Sequence, residues 1–145
     1  MNILSNISTA LKLPLGFWKK LVLFGLAAFF INFGIDHFIN LDFYLSIMPP
    51  SFPLHKEAVY ISGFFEIIGG VGVLIPRFRR IAGWGLVVLL IAVYPANIYM
   101  AITPEAFSEI PVEMLYFRLA LQFLFFYWAY SVTRPVFNLG SQKNL

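Results

Sequence analysis

Glu66 carries the most pointed chemistry in this sequence, because it stands near the middle of the apolar run from Glu57 to Ile75. On insertion scales a charged side chain at a span centre costs about 2.5–3.5 kcal/mol, so it is kept where it has a partner, faces a wet cavity or does chemistry. Arg118 and Gln122 lie four apart in another apolar run and so share one helix face. At 1.5 Å per residue, Arg118 falls roughly 7–8 Å, Gln122 roughly 13–14 Å and Glu66 roughly 15 Å below the same end of their helices. A Glu66–Arg118 ion pair is therefore expected, either fixing helix register or binding and moving protons.

Further polar residues occupy comparable depths. Asn32 and Asp36 are four apart, and His37 lies about 100° round the helix from Asp36. Ser62 flanks Glu66, and Asn97 follows Pro95. The candidate ligand-binding set is thus Asn32, Asp36, His37, Ser62, Glu66, Asn97, Arg118 and Gln122, with Glu66 and Arg118 the candidates for any catalysis. Each has a plainer role open to it. Asp36 can be solvated or capping, His37 can hydrogen-bond at an interface, and Asn97 can repair the backbone beside a proline. Together they describe a polar pocket opening toward one face of a membrane.

Several chemistries are not indicated. The sequence contains no cysteine, which removes disulfides, thiol redox chemistry and cysteine-held clusters. His37 and His55 are the only histidines and have no metal-binding spacing, so neither a metal nor a haem is assigned. No phosphate loop, nucleophile elbow or zinc motif occurs.

The elements that must position these residues follow from hydropathy. Of 145 residues, 60% are hydrophobic and 12% charged, with mean hydropathy +0.81, a composition of integral membrane proteins. One domain is expected, built from spans at about 19–38, 56–75, 81–102 and 113–132, each close to the ~20 residues that cross a bilayer core. The expected fold is all-α, a four-transmembrane-helix antiparallel bundle. The first span is read as retained, because no small-residue cleavage site follows it.

Eight of the ten lysines and arginines (Lys12, Lys19, Lys20, Arg77, Arg79, Arg80, Arg134 and Lys143) fall on one side of these spans. By the positive-inside rule both termini are then cytoplasmic. The basic residues form no groove-sized patch, so no nucleic-acid partner is expected. Trp18, Trp84 and Trp128 sit near the inner ends as interfacial anchors.

The outer segment from Asn40 to His55 reads as a short interfacial helix, capped at Asn40 or Asp42 and ended by Pro49-Pro50. It either anchors in the interface or folds over the mouth of the bundle as a lid. In the second span Gly63, Glu66 and Gly70 share a stripe, so the face that lets another helix approach closely also carries the carboxylate.

The order of His37-Phe38, Phe43-Tyr44, Ile47-Met48-Pro49-Pro50, Ser62-Gly63-Phe64-Phe65-Glu66, Pro76 with its arginine turn, Pro95-Ala96-Asn97-Ile98-Tyr99-Met100-Ala101 and Arg118-Leu119-Ala120-Leu121-Gln122 resembles the DoxX family. The similarity runs from about Phe33 to Trp128. It implies a four-helix protein of the bacterial cytoplasmic membrane, linked in some members to quinone-coupled sulfur oxidation or to redox partner proteins. The expected function is a small redox-associated membrane protein that binds a quinone-like or other apolar aromatic ligand. Asn97 and Gln122 would hydrogen-bond that ligand. With no covalent cofactor, electrons would come from the ligand or a partner chain. The alternatives are a non-enzymatic membrane subunit or lipid-binding scaffold with a structural Glu/Arg pair, and a transporter, which would need a homo-oligomer.

Overall fold

The computed structural model describes residues 15–134. Lys12 and Lys143, which contribute to the charge asymmetry, lie outside the described residues. The described chain is helical, with no strand among the described residues: α1 (Leu15–Ile39), α2 (Leu41–Ser46), α3 (His55–Leu74), α4 (Arg79–Ile102), a 3-10 turn (Pro104–Phe107) and α5 (Val112–Ser131). Three of these helices, α1, α3 and α4, are long and apolar enough to cross a membrane. The fourth expected span, α5, matches α3 in length. Its mean hydropathy is lowered by Glu113, Arg118, Gln122 and several ring hydroxyls and amines.

Helices α1 and α3 form the closest pair. A methyl group placed on Gly63 would stand 2.7 Å from the His37 Cβ and 2.8 Å from the Gly34 carbonyl oxygen. One on Gly70 would meet the Ala27 carbonyl at 3.0 Å. The two backbones therefore touch where glycine stands, as small-residue packing between apolar helices requires. The expected Gly63–Glu66–Gly70 face is buried throughout, and Gly34 supplies the complementary notch on α1.

The far end of the bundle, away from α2, is filled by Leu26, Phe30, Val73, Leu86, Leu90 and Ala129. There Gly69 lies against Leu86, and Gly83 admits the Ala129 carbonyl and Val132. Two residues do more than their sequence context indicates. Arg79, expected in an exposed turn, is buried at the start of α4. Its Nε donates to the Val73 carbonyl at 2.8 Å and its guanidinium to Leu74 at 3.4 Å, satisfying acceptors at the end of α3. Trp128 is not merely a belt residue, since its Nε1 donates to the Val22 carbonyl at 3.0 Å and ties α5 to α1.

At the near end Tyr44, Ile47, Val59, Met100, Phe107 and Leu115 form a second cluster, so α2 is folded onto the bundle. Asn40 holds the N-cap position, but its side chain makes no cap bond and donates back to Asp36 instead. Its carbonyl accepts the Phe43 and Tyr44 amides. After Pro49-Pro50, His55 Nε2 hydrogen-bonds the Pro49 carbonyl at 3.1 Å. Leu54 turns the chain into α3 with φ 53°, a left-handed conformation that is uncommon for a residue with a branched side chain.

Replacing Gly63 with valine should therefore cost about 1–3 kcal/mol, because the obstructing atoms include backbone. Gly85→Ala, where a methyl group meets nothing within 4 Å, should stay within about 0.5 kcal/mol. Thermal unfolding of the two variants in one detergent compares them directly.

Candidate functional site

Between the close-packed far end and the α2 cap lies a cavity of about 550 Å³. Aromatic rings from α1, α2 and α5 make much of its wall: Phe29, Phe30 and Phe33 from α1, Phe43 and Tyr44 from α2, and Phe125 from α5, joined by Phe52 from the segment before α3. Seven of the eight expected residues line it: Asp36, His37, Ser62, Glu66, Asn97, Arg118 and Gln122. Asn32 does not. It is exposed, and its amide donates to the Ala28 carbonyl at 2.6 Å on its own helix. The i, i+4 spacing to Asp36 did not bring both residues to the cavity, because Asp36 reaches it through its position beside α2.

The polar residues fall into two groups. On the α1–α3 side, His37 and Glu66 are each only 7% exposed, and His37 Nδ1 lies 3.4 Å from Glu66 Oε2. The shorter contact of Nδ1 is 2.8 Å to the Phe33 carbonyl, one helical turn back. A proton on Nδ1 directed to that carbonyl leaves Oε2 close to the ring but without a hydrogen bond. His37 also stacks on Tyr44, with ring centroids 3.7 Å apart. Tyr44 donates its hydroxyl to Asp36 at 2.9 Å. Burial, and then the hydrogen bond to Asp36, push the Tyr44 phenol far above its ordinary value, so it remains a donor. Ser62 bonds the Val59 carbonyl on its own helix at 2.9 Å.

The α4–α5 side is built on amides. Asn97 Nδ2 donates to Gln122 Oε1 at 2.8 Å, and Gln122 Nε2 donates to the Leu90 carbonyl at 3.0 Å. The acceptor of this second bond is one residue before Ile91, whose carbonyl loses its helical partner because Pro95 has no N–H. Arg118 donates to Asn97 Oδ1 at 3.4 Å, and its guanidinium lies 6.0 Å from the Phe43 ring centroid. Arg118 Nε is buried without a hydrogen-bond partner.

The expected Glu66–Arg118 ion pair is therefore not formed. Depth along the helices suits the pair, but Glu66 turns to α1 through the Gly34–Gly63 crossing, while Arg118 turns to α4 and to the Phe43 face. Each lines the cavity and keeps one buried side-chain atom without a hydrogen-bond partner. No group of three or more His, Cys, Asp or Glu residues that could hold a metal ion occurs among the described residues.

A model of one protein family matches residues 26–133, which include every residue of this site. The chain belongs to the family described as Domain of unknown function (DUF8561). No curated protein and no solved structure matches it.

Tyr44 and Phe43 are site residues that spacing alone does not single out. They sit in an apolar segment and meet Asp36, His37 and Arg118 only because α2 folds back. The contacts predict unequal energetic coupling. A double-mutant cycle of Glu66→Gln with His37→Phe should give an interaction energy of about 0.5–3 kcal/mol, and one of Glu66→Gln with Arg118→Leu less than about 0.5 kcal/mol. Unfolding free energies in detergent measure both.

Proposed function

We propose that this protein is a four-pass protein of the bacterial cytoplasmic membrane, with both termini inside, that holds a quinone-like aromatic ligand in the cavity beneath α2. The fourth pass is α5, whose outward side carries Phe117, Phe123, Leu124 and Tyr127, all exposed. Such an apolar face suits lipid and not water. Orientation rests on the charge asymmetry of the sequence. The DoxX resemblance supports the same architecture and adds a redox setting, with electrons passing to or from a partner chain.

The observation that carries the ligand reading is an aromatic-walled cavity lined by Glu66 and Arg118, each of which has a buried side-chain atom without a hydrogen-bond partner, Oε2 and Nε respectively. An orphaned buried polar atom costs about 1–3 kcal/mol, more when charged, and a ligand with matching polar groups removes that cost. Ring-bearing molecules with oxygen substituents match both the aromatic walls and the polar edge. In this reading His37, Tyr44 and Phe43 contact the ring. Glu66 holds or moves a proton at a ring oxygen, Arg118 donates to the other oxygen, and the Asn97–Gln122 amides fix Arg118.

A second reading is a membrane scaffold in which the polar groups only hold helices together. The Asn97–Gln122–Leu90 chain favours it, because it bridges α4 and α5 at the proline turn. A titration of the purified protein with a short-chain benzoquinone separates the two. Glu66→Gln and Arg118→Leu should each weaken binding by about tenfold, the size of one lost polar contact of ~1.4 kcal/mol. Binding that both substitutions leave unchanged rejects the ligand reading.

A further inference from the structure

The bundle is not closed equally on all sides. Helix α3 packs along both α1 and α4, and α4 along α5. The seam between α5 and α1 is closed by side chains: Trp128 on the Val22 carbonyl, and Phe29 against Phe125 with ring centroids 4.4 Å apart. These two helices run antiparallel, so the next turn toward α2 sets Phe33 (four after Phe29) opposite Leu121 (four before Phe125). Both residues line the cavity. Phe33 is also 46% exposed. At that point the cavity wall is also the outer surface of the bundle, at the level of the apolar spans and one turn from Arg118 and His37.

The geometry points to a lateral entrance between α1 and α5, at Phe33 and Leu121, through which the hydrocarbon tail of the bound molecule runs out into the bilayer. The ligand class is then a bilayer-dissolved amphiphile with a polar ring and a long tail. The inference rests on the reading of the cavity as a ligand site. Two observations favour this route. A cavity of about 550 Å³ accepts a ring head within the usual range for small-molecule sites and leaves a long tail outside. The end facing α2 is covered by Phe43, Tyr44 and Phe52, with Tyr44 fastened to Asp36. Exposed residues also reach the cavity between α3 and α4, at Ile61, Ala92 and Pro95. The close contacts between those two helices, Gly69 against Leu86 and Gly72 against Ala82, lie toward the far end, so Ala92→Trp tests this competing route directly.

The test uses the full chain in phosphatidylcholine nanodiscs and two probes, a decyl-tailed benzoquinone and its tailless parent, with concentrations expressed per mole of lipid. Leu121→Trp should weaken the tailed probe by about tenfold and the tailless one by no more than about threefold, while Ala92→Trp changes neither by more than about threefold. Phe33→Trp closes the same seam from α1 and serves where Leu121→Trp lowers the melting temperature. Tailed binding that survives both seam substitutions, or that is lost instead in Ala92→Trp, overturns the entrance. Equal binding of both probes with equal responses to the seam variants also overturns it, yet leaves the cavity a ligand site. If neither probe binds the unsubstituted protein, the ligand reading itself fails and the entrance falls with it.

Discussion

The contact on which the rest of this structure depends is the meeting of α1 and α3 at Gly34 and Gly63. There the two backbones come so close that a single methyl group on either glycine would strike a carbonyl oxygen of the other helix. In an apolar medium burial from water does not drive helices together, so close packing and polar contacts must do so. The glycine crossing supplies the packing. It also sets His37, three residues after Gly34, beside Glu66, three residues after Gly63. Geometry created for packing thereby delivers a carboxylate and an imidazole to one edge of a cavity.

The other edge is organised by a different device. Pro95 interrupts the hydrogen bonding of α4, and close to it the amides of Asn97 and Gln122 bond each other and the Leu90 carbonyl. They also give Arg118 an acceptor. The cavity thus has an acidic side and a basic side that do not neutralise one another directly. A direct Glu66–Arg118 pair would satisfy both charges and leave little for a ligand. The separated arrangement leaves one buried polar atom on each side without a hydrogen-bond partner. Fully satisfied buried polar networks make rigid structure, and on the proposed reading a bound group completes this incompletely satisfied one.

Much of this was legible in the sequence. Length and hydropathy place the long helices within a few residues of their ends, because no other structure satisfies the backbone of so apolar a run. The Gly63–Glu66–Gly70 stripe identifies the buried face of α3, since glycine at helical spacing and a carboxylate both avoid lipid. Proline at 49 and 50 ends α2. The pairing of Glu66 was not legible, because depth fixes position along a helix and says nothing of rotation about it. Asn32 shares a spacing with Asp36 but bonds its own helix and faces outward. Tyr44 and Phe43 reach the site through the fold-back of α2, and Arg79 and Trp128 find carbonyls across turns and helices. These depend on tertiary approach, for which one sequence carries no periodic signal.

The account predicts what should accompany this protein when it is taken gently from its membrane. Native mass spectrometry of the complex in mild detergent weighs the bound species directly. One equivalent of a ring-bearing, long-tailed molecule per chain, retained until Glu66 and Arg118 are both replaced, is the expected result. Bound phospholipid alone, or a chain with nothing attached, would contradict the proposal that Glu66 and Arg118 hold a ligand.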